Sequence, residues 1–290
     1  MEIIRLSHYD VDYVFTPPRL SRGFTERDYF IKTHTQGFYE INIVLRGTGV
    51  HFFGEQSIDV GAGDTFIIPP NVPHSYMGGQ GFDVYHLLLH PKYLEKNSSA
   101  LLTLPAFSSL FRVDPLLREK NAGGLHLKLS KAEIKALAPH LDALVSLENK
   151  SDTVTTIISD SEAMIVIAVL CSLYEQKTPS NAPVTDDTGF ADSLAYLYGH
   201  YSEAVTIDTL CRIAKMSRTA YLTKFKRVTG TTPASLQNAY RIEIAKSLLT
   251  ETNAPVSEIS ATVGCYDTSH LIRLFKNKTG STPSRFRKEN

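Results

Sequence analysis

The feature that most constrains this chain is a duplication near its C-terminal end. Leu210–Pro233 (LCRIAKMSRTAYLTKFKRVTGTTP) returns as Ile259–Pro283 (ISATVGCYDTSHLIRLFKNKTGSTP). Phe225, Lys226, Thr229, Gly230, Thr232 and Pro233 recur fifty residues on as Phe275, Lys276, Thr279, Gly280, Thr282 and Pro283, while upstream positions recur at forty-nine. The second copy therefore carries one extra residue in its internal turn. Each copy predicts a short helix, a tight turn and a second helix, capped at its start by Ser217 or Asp267. Each second helix ends at a glycine, Gly230 or Gly280, suited to the left-handed C-terminal position. Two small helices joined by a turn make a helix-turn-helix, whose second helix can enter a DNA major groove.

The faces of the second helices divide packing from recognition. Tyr221, Phe225 and Val228, and again Leu271, Phe275 and Lys278, follow i, i+4, i+7 and mark the core side, Lys278 burying only its stem. Arg218, Thr219, Leu222, Thr223 and Lys226 lie on the other side, as do Thr268, Ser269, Ile272, Arg273 and Lys276 in the second copy. Arginine can pair with guanine, hydroxyls can bond base edges, and Leu or Ile can meet a thymine methyl. A merely solvated face is the alternative, and duplication of the whole pattern argues against it. Between the copies, Thr232–Pro233 predicts an N-cap and first helical residue, with a helix over Ala234–Leu249. At 1.5 Å per residue, sixteen residues make a rod of about 24 Å, enough to hold two readers in successive grooves.

From about 190 to 288 the chain resembles the tandem helix-turn-helix domain of AraC/XylS transcription regulators, carried by MSRTAYLTKFKRVTGTTP and SHLIRLFKNKTGSTPSRFR. The resemblance implies a sequence-specific bacterial regulator acting on promoter DNA and RNA polymerase. By position it places Arg218, Thr219, Leu222 and Thr223, with Thr268, Ser269, Ile272 and Arg273, on the DNA.

Charge is divided as such a chain requires. Residues 1–202 hold 16 basic and 23 acidic side chains, and residues 203–290 hold 14 and 7, so the C-terminal part carries the excess positive charge that phosphate attracts. No N-terminal signal pattern is present, and the longest apolar run, Met164–Leu170, falls short of a membrane span, so a cytoplasmic protein without membrane contact is expected. Cys171, Cys211 and Cys265 are widely spaced and predict buried thiols, not a disulfide frame or a zinc site.

Between about Tyr29 and Leu89, short apolar runs alternate with turn residues, which predicts a β-barrel or sandwich. His34-x-Gln36-x-x-x-Glu40, with Gly47 seven residues beyond, and Gly63-x5-Pro69-x4-His74 resemble the two cupin motifs. Gln36 stands where the second histidine is usual, and Asn71 where a glycine is. Histidines and a carboxylate inside a small barrel could bind a divalent metal. The sensing domains attached to AraC-type readers are similar to cupins and usually work without metal. That resemblance, over roughly residues 8–95, implies a metal-free, cofactor-free site for a small polar effector such as a sugar, lined by His34, Tyr39, Glu40, His74, Tyr76 and His86.

Residues 96–125 suggest loops and short helices without assigned function. Helices are predicted over Lys131–Glu148, capped by Ser130, and over Val154–Gln176, and their apolar stripes resemble the family's dimerisation region. The expected organisation is a two-domain α+β chain: a cupin-like barrel with dimerisation helices (1–176), a linker (177–188), and an all-α tandem helix-turn-helix (189–290). The expected function is a non-enzymatic, effector-responsive, homodimeric transcription regulator. A metal-dependent cupin enzyme fused to a DNA module and a regulator without effector remain the alternatives.

Overall fold

The computed structural model describes residues 20–53, 56–101, 104, 106–119, 127–147, 150, 152–177 and 186–289. They form two compact units, one joining residues up to 94 with 110–182, the other joining 95–109 with 183–290.

The first unit holds strands β1 (Ser21–Glu26), β2 (Phe30–His34), β3 (Tyr39–Arg46), β4 (Thr48–Phe53), β5 (Gln56–Gly61), β6 (Asp64–Ile68), β7 (His74–Gly78), β8 (Asp83–Leu89) and β9 (Leu127–Lys128). One sheet runs β1-β8-β3-β6-β9 and the other β2-β7-β4-β5, with antiparallel pairing throughout. Tyr29, Val44, Val60, Phe66, Ile68, Tyr76, Phe82 and Val84 form one buried cluster between the sheets. Every residue of β6 and β8 is buried, which is why these strands read as continuous apolar runs instead of alternating ones. The polar residues that interrupt this interior are therefore informative.

Helices α1 (Pro91–Lys96), α2 (Ser98–Leu101) and α3 (Asp114–Glu119) follow, with a π-turn at Ser109–Val113. Then come α4 (Lys131–Ser146) and α5 (Thr153–Lys177), close to the predicted spans. Ser130 and Glu133 complete a capping box at the start of α4. Both helices pack on β1, and Ser159 of α5 donates to the Ser21 carbonyl while the Ser21 hydroxyl donates to Asp160. By length and composition alone α5 could cross a membrane, but nearly half of its most apolar stretch is buried in this unit. Its other side exposes Val154, Ile157, Ile158 and Ile165.

The second unit is helical: α6 (Asp186–Gly199), α7 (Ile207–Ala214), α8 (Arg218–Thr229), α9 (Pro233–Glu251), α10 (Val256–Thr262), α11 (Thr268–Thr279) and α12 (Pro283–Glu289). Of the expected 177–188 linker, residues 178–185 lie outside the described residues. The last part is not linker, since Asp186 already begins α6. The segment 95–109, expected with the barrel, groups with this unit, where α2 packs on α9. Along α9, the Gln237 amide donates to the carbonyls of His200, Tyr201 and Glu203, and the Arg241 guanidinium donates to those of Tyr201 and Glu203. These carbonyls follow the end of α6, so the connecting rod is pinned to the first reader by buried polar bonds as well as by packing.

Candidate DNA interface and effector site

The two reading helices have the ends their sequences predict. Ser217 Oγ accepts from the Ala220 N–H and Asp267 accepts from the His270 N–H, and Gly230 and Gly280 close the helices at φ of 71° and 78°. Tyr221, Phe225 and Val228 of α8, and Leu271 and Phe275 of α11, point into the core, whereas Lys278 is exposed. On the outer face Arg218, Thr219, Thr223, Lys226, Ser269, Ile272, Arg273 and Lys276 are exposed, with Leu222 and Thr268 half-buried. Arg218 pairs with Asp208 at 3.0 Å in an exposed bridge that a phosphate or base could replace at little cost. Lys226 donates to the Gly230 carbonyl at 2.7 Å, so it caps its own helix and lies at the end of the reading face. One exposed group passed unnoticed in the sequence: Tyr266, in the turn just before the Asp267 cap, is 94% exposed. Its position next to a recognition-helix N-cap was the available signal.

Inside the barrel, the structure brings His34, Glu40, His74, Tyr76 and His86 together and buries all five. Tyr39 is the exception. Strand alternation puts it on the face of Ile41 and Ile43, opposite Glu40, so it does not line the interior. His34 reaches the interior because the β2–β7 register shifts between Ile31 and His34, a bulge that turns the side chain over to the face of His74. The His34 and His74 rings lie 4.3 Å apart, and His51 stacks on Tyr76 at 4.2 Å. His51 and Asn42 were missed. They sit at inward positions of apolar strands, and Asn42 donates to the Tyr76 hydroxyl at 3.2 Å.

Glu40 is the hub. One carboxylate oxygen lies 2.7 Å from His86 Nδ1; the other lies 3.3 Å from both His74 Nε2 and the Gln36 amide nitrogen. Burial alone would raise its pKa, yet the bonds and charges of His74 and His86 outweigh burial and hold the carboxyl well below the usual carboxylate range. Glu40 is thus a buried anion. His34 moves the other way: burial and the neighbouring His74 push it down to about 4, which leaves a neutral imidazole. Beside this group, a cleft lined by His51, Phe53, Ile67, Ile68, Val72 and His74 encloses room for about one water molecule.

Residues 19–147 match the model of the AraC-like ligand binding domain, and residues 210–289 match that of a helix-turn-helix domain. The chain belongs to the AraC family of transcriptional regulators. Like them it joins a ligand-binding domain to a DNA-binding one. It is similar to the HTH-type transcriptional activator RhaR of Escherichia coli O139:H28, 24% identical over 256 residues that cover 88% of this chain and 86% of the relative. RhaR of Shigella boydii serotype 4 matches to the same extent. Among solved structures, the DNA-binding domain of AdpA in complex with a target DNA covers 35% of this chain and 91% of its own, at 27% identity and a TM-score of 0.34. ToxT from Vibrio cholerae covers 92% and 94%, at 16% identity and a TM-score of 0.34.

Proposed function

We propose that this AraC-family regulator is a cytoplasmic homodimer that changes its promoter binding and its engagement of RNA polymerase when a small, oxygen-rich effector, sugar-like in chemistry, enters the barrel. The carrying observation is the convergence of buried polar side chains, His34, Glu40, His74, Tyr76 and His86 among them, beside the apolar cluster between the sheets. A domain gains nothing in stability by burying such a group, because desolvation offsets its bonds. Ligand recognition gives it a reason. Its differential affinity for two arrangements of the sensor shifts the readers.

DNA contact is assigned to the outer faces of α8 and α11, with Arg273, Ser269, Thr268 and Ile272 on one half-site and Arg218, Thr219, Leu222 and Thr223 on the other; Lys226 and Lys276 meet phosphate. Dimerisation is assigned to α4 and α5, where Val154, Ile157, Ile158 and Ile165 form an exposed apolar strip. No reaction is assigned to the chain.

Selecting DNA with the purified protein, with and without a panel of sugars and sugar acids, tests this reading. A common operator whose affinity changes with one class of ligand is expected. An operator indifferent to every ligand, together with thermal stability that no ligand shifts, would instead favour a regulator without effector.

A further inference from the structure

We propose that Tyr266 makes a DNA contact belonging to the second reader alone: its hydroxyl donates to a phosphate beside the groove that α11 enters, and its ring lies against the neighbouring sugar. The contact rests on the placement of α11 on DNA proposed above and adds to it a residue outside the reading face.

The duplication marks Tyr266 as an insertion. Lys215 and Gly264, forty-nine positions apart, both take the left-handed conformation just past the first helix of their copy, at φ of 52° and 73°. The residues after them match as well, because the Met216 N–H donates to the Cys211 carbonyl and the Cys265 N–H to the Ser260 carbonyl, each at 3.0 Å. In the first copy the cap Ser217 follows at once. In the second, Tyr266 stands between Cys265 and the cap Asp267, so it has no counterpart in the first reader.

The turn displays this ring firmly. Cys265 is buried, and the Asp267 carbonyl accepts from the buried Ser260 hydroxyl at 2.9 Å, so both neighbours are tied to α10 while Tyr266 is 94% exposed. Among the described residues the next most exposed large apolar side chain, Val154, reaches 65%. An amphipathic ring with two side-chain torsions, set out in water from a fixed turn, gives contact area to a partner at small entropic cost.

Charge indicates what the ring meets. Phosphates beside a reading helix are bound by N–H groups at its start and by nearby donors. In the first copy the cap is the neutral Ser217, with Lys215 and Arg218 on either side. In the second the cap is Asp267, whose carboxylate already accepts the His270 N–H at 2.6 Å, with Gly264 before the turn and Thr268 after the cap. An anion thus occupies the helix end that would otherwise attract phosphate, and no cation replaces Lys215 or Arg218. A neutral donor outside the cap meets that need, and tyrosine is among the side chains that bond phosphate in such interfaces.

The test compares the affinity of full-length wild type, Tyr266→Phe, Tyr266→Ala and Arg273→Ala for the operator selected with the wild-type chain. Tyr266→Phe should weaken binding about tenfold through loss of a hydrogen bond to a charged group, and Tyr266→Ala by a further few-fold. Because the phenol is neutral, the dependence of affinity on salt should stay that of wild type in both variants. Operators in which single phosphates are replaced by neutral methylphosphonates locate the contact: one position flanking the second half-site should weaken wild type but not Tyr266→Phe. Full affinity in Tyr266→Phe overturns the bond to phosphate, and coupling to a phosphate of the first half-site overturns its assignment to the second reader. A Tyr266→Ala protein that binds like wild type while Arg273→Ala is weakened removes the contact and leaves α11 on the DNA. If neither variant is weakened, α11 does not meet DNA and the contact falls with it.

Discussion

Replacing Gly264 by alanine isolates how tightly the second reader is seated. Gly264 lies in the turn between α10 and α11 at φ of 73°, and a Cβ there would come within 1.9 Å of the Ser202 carbonyl oxygen. Gly230 has nearly the same backbone conformation, φ of 71°, but a Cβ there would meet nothing within 4 Å. The left-handed conformation costs alanine roughly 1–2 kcal/mol. The restricted unfolded chain returns about 0.4–1 kcal/mol. Gly230→Ala should therefore destabilise the helical unit by about 1 kcal/mol. Gly264→Ala carries the same terms plus a backbone displacement, typically about 1–3 kcal/mol for overpacking. The expected difference is about 1–3 kcal/mol, read by urea denaturation of both full-length variants with a probe in the helical unit. Gly264→Ala should also lose more DNA affinity, since its turn sets the angle of α11. Equal destabilisation by the two substitutions would refute the close approach of Ser202.

Arg273→Ala should cost roughly 1–3 kcal/mol on the preferred operator and relax preference at one or two base pairs, whereas Lys276→Ala should weaken all sequences alike and lower the salt slope by about one; a panel of single-base operator variants at fixed salt reads both. Ile158→Lys, in the exposed strip of α5, should convert a dimer to monomers in sedimentation while the circular dichroism of the folded chain stays unchanged; an unchanged dimer would move the interface elsewhere. The Cys171 thiol, pushed up to about 12 by burial, should resist alkylation at pH 8 until the protein unfolds, and prompt labelling of the native chain at Cys171 would contradict its packing.

The helical half was legible because its signals are local and stated twice. Ser217, Asp267, Gly230 and Gly280 act within a few residues of themselves, so caps and helix ends followed from sequence alone. The barrel site was legible in part. Glu40, His74 and His86 stand out as polar interruptions of apolar strands, but Asn42 and His51 were hidden among residues buried on both faces. Tyr39 was misplaced because neither sheet face is wet and alternation had nothing polar to mark it. His34 faces inward only through the β2 bulge, a register event set by the partner strand. The grouping of residues 95–109 with α9 is long-range packing, for which short apolar segments carry no address.

In the proposed reading, α8 and α11 of one chain enter two successive major grooves, held apart by the pinned rod α9. Its nineteen residues span about 28 Å and cannot stretch. Inserting about five base pairs between the two half-sites of a selected operator turns one of them to the far side of the duplex. The measurement is the affinity of the full chain for the parent and the expanded operator at the same salt. Affinity should fall to that of a single half-site; parental affinity on the expanded operator would rule out two-groove reading by one chain.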